Sequence, residues 1–343
     1  MNDSQAPVTT LMALFAEGAI RYGEPNSFSG LTLFPLFTDC RARFEYLLLA
    51  QAVESGVAVI EEIGGGTVPG LRIHNQGEKP VLLLDGEHLV GVKQNRVLNA
   101  TILVPEKTAL DIPVSCVEAG RWGAPRSTAM PTSPALFFST RAVNVQAVAD
   151  SVRRHGTYEA DQSAVWEGVD ETLRAVGAAS PTSAMHAAYE HRADDIEEYL
   201  KRLPRQQGQT GVVAAVGGRV VCADLFDRPE TLDGLWDRLI PSYAVEALAK
   251  GDGGATGDGG AQSASGEAET FLSSARSATV TAHGAVGRGT DLRITGGGVV
   301  GAALEVEGAV LHLSLFRIKD RGQNGRSRAA GFAPMGERRR RKT

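Results

Sequence analysis

PVLLLDGEHLVGVKQNRVLNATILVP, residues 80–105, sets short runs rich in Val and Leu around a tight group of polar residues. The same grammar extends in both directions. VAVIEE and PGLRIHN lie upstream, DIPVSCVE lies downstream, and each run is broken by Gly, Pro, Asn or Asp. That pattern predicts strands. Five or six such runs fit between residues 57 and 118, with connections too short for parallel crossovers, so the predicted sheet is antiparallel.

Outside this block the periodicity changes. LTLFPLF (31–37) reads as a strand and RARFEYLLLAQAVESG (41–56) as a helix ending at Gly56. From about Thr140 to Leu203 the spacing predicts three helices, TRAVNVQAVADSVRRH, QSAVWEGVDETLRAV and TSAMHAAYEHRADDIEEYLKRL, with SPTS (180–183) capping the third. GVVAAVGGRVVCADLF (211–226) reads as a hairpin turning at Gly217-Gly218. PETLDGLWDRLIPSYAVEALA (229–249) reads as a helix that Pro241 kinks or divides. TVTAHGAV, DLRITGG, GVVGAALEVEG and AVLHLSLF form a second group of strands. The order is strands, helices, strands, which predicts an α+β fold built as one composite domain over residues 30–316. It follows an N-terminal segment, 1–29. KGDGGATGDGGAQSASGEA (250–268) reads as a flexible surface insertion, and 317–343 as a disordered basic tail.

Charge and cysteine usage narrow the class. The net charge of −5 over 343 residues hides a tail with ten Lys or Arg and two acids, which leaves −13 on the rest. So acidic a body argues against a nucleic-acid surface except through the tail, where RRRRK (338–342) is a solubilising run or a polyanion contact. Cys40, Cys116 and Cys222 are far apart and odd in number, which suits a reducing compartment without disulfides. There is no basic leader and no apolar run near the roughly 20 residues of a membrane span, so a cytoplasmic protein is expected.

No phosphate loop, dinucleotide fingerprint, HExxH or GxSxG motif is present. The chemistry concentrates in DGEHLVGVKQNRVLN (85–99) and IPVSCVEAGRW (112–122). These two stretches resemble the ARG and rhodanese-phosphatase-superfamily-associated protein domain family, as do DQSAVW (161–166), VCADLFD (221–227), LWDRLIPSYAVEAL (235–248) and GRGTDLR (287–293). The resemblance spans nearly the whole folded chain and leaves out the insertion and the tail. By its name alone it implies a context of ADP-ribosylglycohydrolase-type and phosphatase-type domains, hence NAD or ADP-ribose metabolism; it implies no reaction.

The residues themselves suggest a nucleotide-handling site. Alternate strand positions share a face, so Asp85 pairs with Glu87 and Cys116 with Glu118. If the two segments meet, Glu87 and Glu118 approach each other as an acid–base pair or as oxygen ligands to a divalent cation. Lys93, Arg96 and Arg121 are the anion-binding candidates, Gln94, Asn95 and Asn99 the base or ribose readers, and Trp122 the stacking platform. Cys116 is the candidate nucleophile, with His88, His283 and His312 as available bases. No metal-ligand spacing is evident, so metal dependence is left open.

A plainer reading stands beside each of these. Asp85-Gly86 can simply form a turn, Arg96 or Arg121 can pair with Glu87 or Glu118 as a structural network, and Asn95 and Asn99 can cap backbone. Cys116 fits a small buried residue, Trp122 a core residue, and His312 an inner histidine with its hydrogen bonds met. Asp224 and Asp227 fit caps for the following helix, and Glu190–Glu198 a solvated face. Arg288, Asp291 and Arg293 sit near a glycine-flanked turn that can bring them to a pocket. Three classes follow: a hydrolase or transferase acting on an ADP-ribose-like or phosphorylated substrate, a non-catalytic module that senses such a ligand, and a structural protein with a buried ion-pair cluster.

Overall fold

The computed structural model describes residues 5–63, 70–90, 94–119, 128–132, 134–251 and 258–318. Its helices are α1 (Gln5–Leu14), α2 (Leu49–Glu54), α3 (Phe138–His155), α4 (Gln162–Val176), α5 (His186–His191), α6 (Ala193–Arg202), α7 (Pro229–Lys250) and α8 (Asp258–Ser274). The fold is α+β, and apart from one short parallel pairing, Leu47–Leu48 beside Val81–Leu82, its strands pair antiparallel.

The largest sheet has nine strands and joins the two ends of the chain. Leu31–Thr38 lies beside Gly211–Val216, then Arg219–Phe226, Ala309–Arg317, Val299–Val306, Thr290–Gly296 and Thr279–Gly284 follow in that order. The hairpin at 216–219 turns on Gly217 and Gly218, both at positive φ, as a two-residue turn requires. Alternation sends Val213, Ala215 and Leu225 to a face covered by Leu11 and Phe15 near α1 and by Phe271 and Leu272 of α8. It sends Val212, Ala214, Cys222 and Phe226 to the opposite face, against Trp236, Leu239 and Tyr243 of α7 and Val145 of α3. Each large side chain buried there contributes roughly 1.5–3 kcal/mol.

The 80–105 stretch forms one hairpin serving two smaller sheets. Val81 faces Val104 and Leu83 faces Ile102, while further along His88 faces Val97 and Leu89 faces Arg96. The register is the same in both halves, so no residue is inserted between them. The backbone ladder splays open in the middle, at Asp85 and Thr101, which bond instead through the Thr101 hydroxyl, before pairing resumes. Beyond the splay, Arg96–Leu98 pairs with Val114–Cys116, which is the edge strand of its sheet.

Four sequence expectations change. Residues 41–56 are helical only over Leu49–Glu54, because Leu47–Leu48 is drawn into the sheet beside Val81–Leu82. The third predicted helix breaks at Arg192 into α5 and α6. Pro241 does not divide α7, which runs unbroken from Pro229 to Lys250. Within 250–268, helix α8 begins at Asp258 and its later turns bury Ala268, Phe271 and Leu272, so that part is not a loop. The tail from residue 319 onward lies outside the described residues.

Candidate functional site

The splayed hairpin exposes its polar side chains to the protein interior, and the elements around it sort them into separate groups. At the turn, Glu87 N–H donates to Leu84 O, and Gly86 has φ +77°, so Asp85-Gly86 does make a tight turn. A Cβ on Gly86 would lie 3.0 Å from Arg141 Cδ, which ties the turn to α3.

Asp85 belongs to a closed internal network. Arg141 Nε and Nη2 donate to Asp85 Oδ2 and Oδ1 at 3.0 and 2.8 Å, and Nη1 and Nη2 donate to Asp224 Oδ2 and Oδ1 at 3.0 and 2.6 Å. Thr101 Oγ1 bridges the Asp85 carboxylate and His312 Nδ1, His312 Nε2 lies 3.1 Å from Asp224, and the Tyr243 hydroxyl donates to Asp224. Phe226 stacks on His312 at 4.7 Å, and Arg141 lies over Phe316 at 5.1 Å. All of these side chains are buried. Burial pushes the Asp85 and Asp224 carboxyls up, but Arg141 and His312 outweigh it and hold both below the ordinary range. Asp85, expected at a ligand, is instead consumed by Arg141. Sequence reasoning missed Arg141 and Tyr243. A signal existed in Asp224, Ser314 and His312, polar positions on one face of otherwise apolar strands, where an aspartate requires a buried partner. Neither Asp224 nor Asp227 caps a helix: Asp227 takes Ala42 N–H, the Tyr46 hydroxyl and Arg228 Nε.

Glu87 is buried and accepts from Leu84 N–H at 3.1 Å and Arg238 Nη1 at 3.3 Å. Burial raises its carboxyl above the ordinary value despite Arg238. Glu118 accepts instead from Thr182 at 2.9 Å. The expected meeting of Glu87 with Glu118 is therefore not found: each carboxylate has its own partners, on different elements.

Arg96, Gln94 and Cys116 do come together. The strand register places Arg96 directly across from Cys116. Arg96 Nη1 donates to Gln94 Oε1 at 2.9 Å and to the Cys116 thiol, and Gln94 Nε2 reaches Glu118 O. Arg96 is 1 % exposed, yet among the described residues its Nε and Nη2 have no hydrogen-bond partner and no carboxylate lies within ion-pair distance. Those two nitrogens form one edge of the guanidinium, the side-on fork that grips a carboxylate or phosphate with two parallel bonds. Burial raises the Cys116 thiol, with Arg96 pulling the other way, so the sulfur is held as a thiol rather than a nucleophilic thiolate. His88, paired with Val97 in the register, projects to the other side of the strand from Arg96 and gives Cys116 no base. Among the described residues neither ring nitrogen of His88 has a hydrogen-bond partner, and burial, then His186, lowers it to about 3.

Asn99 turns away to a third place. It accepts from Ser115 at 2.7 Å and donates to Tyr158 O at 3.1 Å, and it lines a cleft of about 410 Å³. Asn95 is buried, and among the described residues its Oδ1 has no hydrogen-bond partner. Lys93, Arg121 and Trp122 lie outside the described residues. Arg293 pairs side-on with Asp291 at 2.6 and 2.9 Å and lies over Tyr158. Among the described residues no cluster of three His, Cys, Asp or Glu has the spacing to hold a metal ion, and no helix is long and apolar enough to cross a membrane.

No curated protein and no solved structure matches the chain. One family model does, over residues 19–316, which contains every group described above except α1. The chain belongs to the family of the ARG and Rhodanese-Phosphatase-superfamily-associated Protein domain.

Proposed function

We propose that the protein is a binding module for an anionic, nucleotide-like ligand of the NAD or ADP-ribose class, with Arg96 as the anion anchor. One observation carries this reading. Arg96 and Arg141 are both buried guanidinium groups in the same fold, and Arg141 has both edges closed by carboxylates while, among the described residues, the side-on edge of Arg96 has no hydrogen-bond partner. A buried cation without a counter-ion is expensive, and an arriving phosphate or carboxylate would supply the missing partner. Binding is favoured over catalysis because the one candidate nucleophile, Cys116, has a raised thiol and no base, and Glu87 and Glu118 do not act as a pair. For Asp85 the bonds to Arg141 and Thr101 favour a structural role instead.

The test is ligand-induced thermal stabilisation with ADP-ribose, NAD, ADP and inorganic phosphate, each with and without Mg²⁺. A ligand at about 100 times its dissociation constant stabilises by about 2.7 kcal/mol. The reading predicts a shift in wild type that Arg96→Gln abolishes. No shift with any of the four anions overturns it.

A further inference from the structure

The cleft beside Asn99 is bounded on one side by the edge strand Val114–Cys116 and on the other by Thr157–Ala160 and the start of α4. The backbone of this strand alternates. Asn99 N–H donates to Pro113 O, and Val117 N–H donates to Asn95 O, both at 3.0 Å, so Pro113 and Val117 face the neighbouring strand. Val114 and Cys116 therefore turn their N–H and C=O away from the sheet. At Cys116 that outward edge is already occupied. The Gln162 carboxamide oxygen accepts Cys116 N–H, and its NH₂ donates to Cys116 O, both at 2.7 Å. Gln162 is fixed there because Asp161 caps α4 through Ser163 N–H and Ala164 N–H. One residue pair earlier, at half-buried Val114, the same outward edge opens into the cleft, and among the described residues nothing bonds it.

We infer that this cleft is a second binding site, for a small molecule carrying a primary carboxamide, held by the N–H and C=O of Val114 in the two-bond arrangement that Gln162 makes with Cys116. Size and edge length select the ligand class. About 410 Å³ is a small-molecule volume. A peptide strand adding to a sheet edge needs several outward residues, and this edge offers one. Pro113 and Tyr158 line the cleft and suit an aromatic carboxamide, and Ser115, whose hydroxyl donates to Asn99, lines it too. The site is independent of Arg96, since a neutral carboxamide brings no anion.

The probe is nicotinamide, and the control is methyl nicotinate, which keeps the ring, the carbonyl and neutrality but loses the N–H donors. The readout is the amide resonance of Val114 in the ¹⁵N-labelled full chain. Nicotinamide is expected to move it saturably, with methyl nicotinate at least tenfold weaker. Val114→Pro removes the outward donor without touching a ladder hydrogen bond, which edge strands tolerate, and is expected to abolish nicotinamide binding. The inference is overturned if nicotinamide leaves the Val114 resonance unmoved, if the ester binds equally well, or if Val114→Pro folds and still binds. Should that variant not fold, the wild-type titration of the two probes decides alone.

Discussion

Asp85 and Asp224 share a single nitrogen, Nη2 of Arg141, at 2.8 and 2.6 Å. One carboxylate comes from the middle of the splayed hairpin and the other from the nine-stranded sheet, so this guanidinium fastens the hairpin to that sheet. Breaking a buried pair by removing one partner leaves an uncompensated charge. Arg141→Leu leaves two such carboxylates facing each other and is expected to cost about 3–5 kcal/mol in urea unfolding. Asp85→Asn is expected to cost less, because Arg141 keeps Asp224.

Gly86 tests the same junction through the backbone. Its φ of +77° strains any other residue, and an added Cβ would press on Arg141 Cδ at 3.0 Å. Gly86→Ala is therefore expected to destabilise by at least 1 kcal/mol, and its cost should shrink in an Arg141→Ala background. A double-mutant cycle by chemical denaturation measures that coupling; strict additivity would refute the contact.

Two buried groups predict opposing pH effects. Burial raises Glu246 to about 7 although Ser139 N–H donates to it, so the native state holds a proton that the unfolded chain releases near 4.5. Its contribution to stability is present below about 4.5 and is lost as pH rises to 7, about 3 kcal/mol in all. His88, lowered to about 3, works the other way: the unfolded chain takes up a proton below about 6.5, so stability is lost as pH falls from there toward 3. Between about pH 4.5 and 6.5 the two slopes offset each other. Glu246→Gln should unmask acid destabilisation in that window, seen as a melting temperature that falls as pH is lowered from 6.5 to 4.5. A flat profile in that variant would contradict the assignment.

The strands of the 57–118 block and the helices α3 and α4 were legible because their periodicity is local. The splay within residues 80–105 was not, since it depends on Arg141 and Asp224 arriving from elsewhere to take up Asp85. The polar hairpin was visible as a concentration of chemistry, but alternation along one strand cannot say which partner each face will meet. Thus Asp85 meets Arg141, Glu87 meets Arg238 and Asn99 meets Ser115, while among the described residues Arg96 Nε and Nη2 meet no hydrogen-bond partner. Residues 41–48 are not helical because Leu47 and Leu48 pair with Val81 and Leu82, and because Ala42 and Phe44 bond their backbone to Asp227 and Arg228.

The most direct test sets the stability of the empty protein against its response to ligand. A buried ion that serves only structure destabilises the fold when removed; one awaiting a ligand does not. Wild type and Arg96→Gln are melted with and without ADP-ribose. The prediction is that without ligand Arg96→Gln melts at or above wild type, and that ADP-ribose raises the melting temperature of wild type alone. If Arg96→Gln melts well below wild type and ADP-ribose shifts neither protein, Arg96 is a structural residue and the proposed site is wrong.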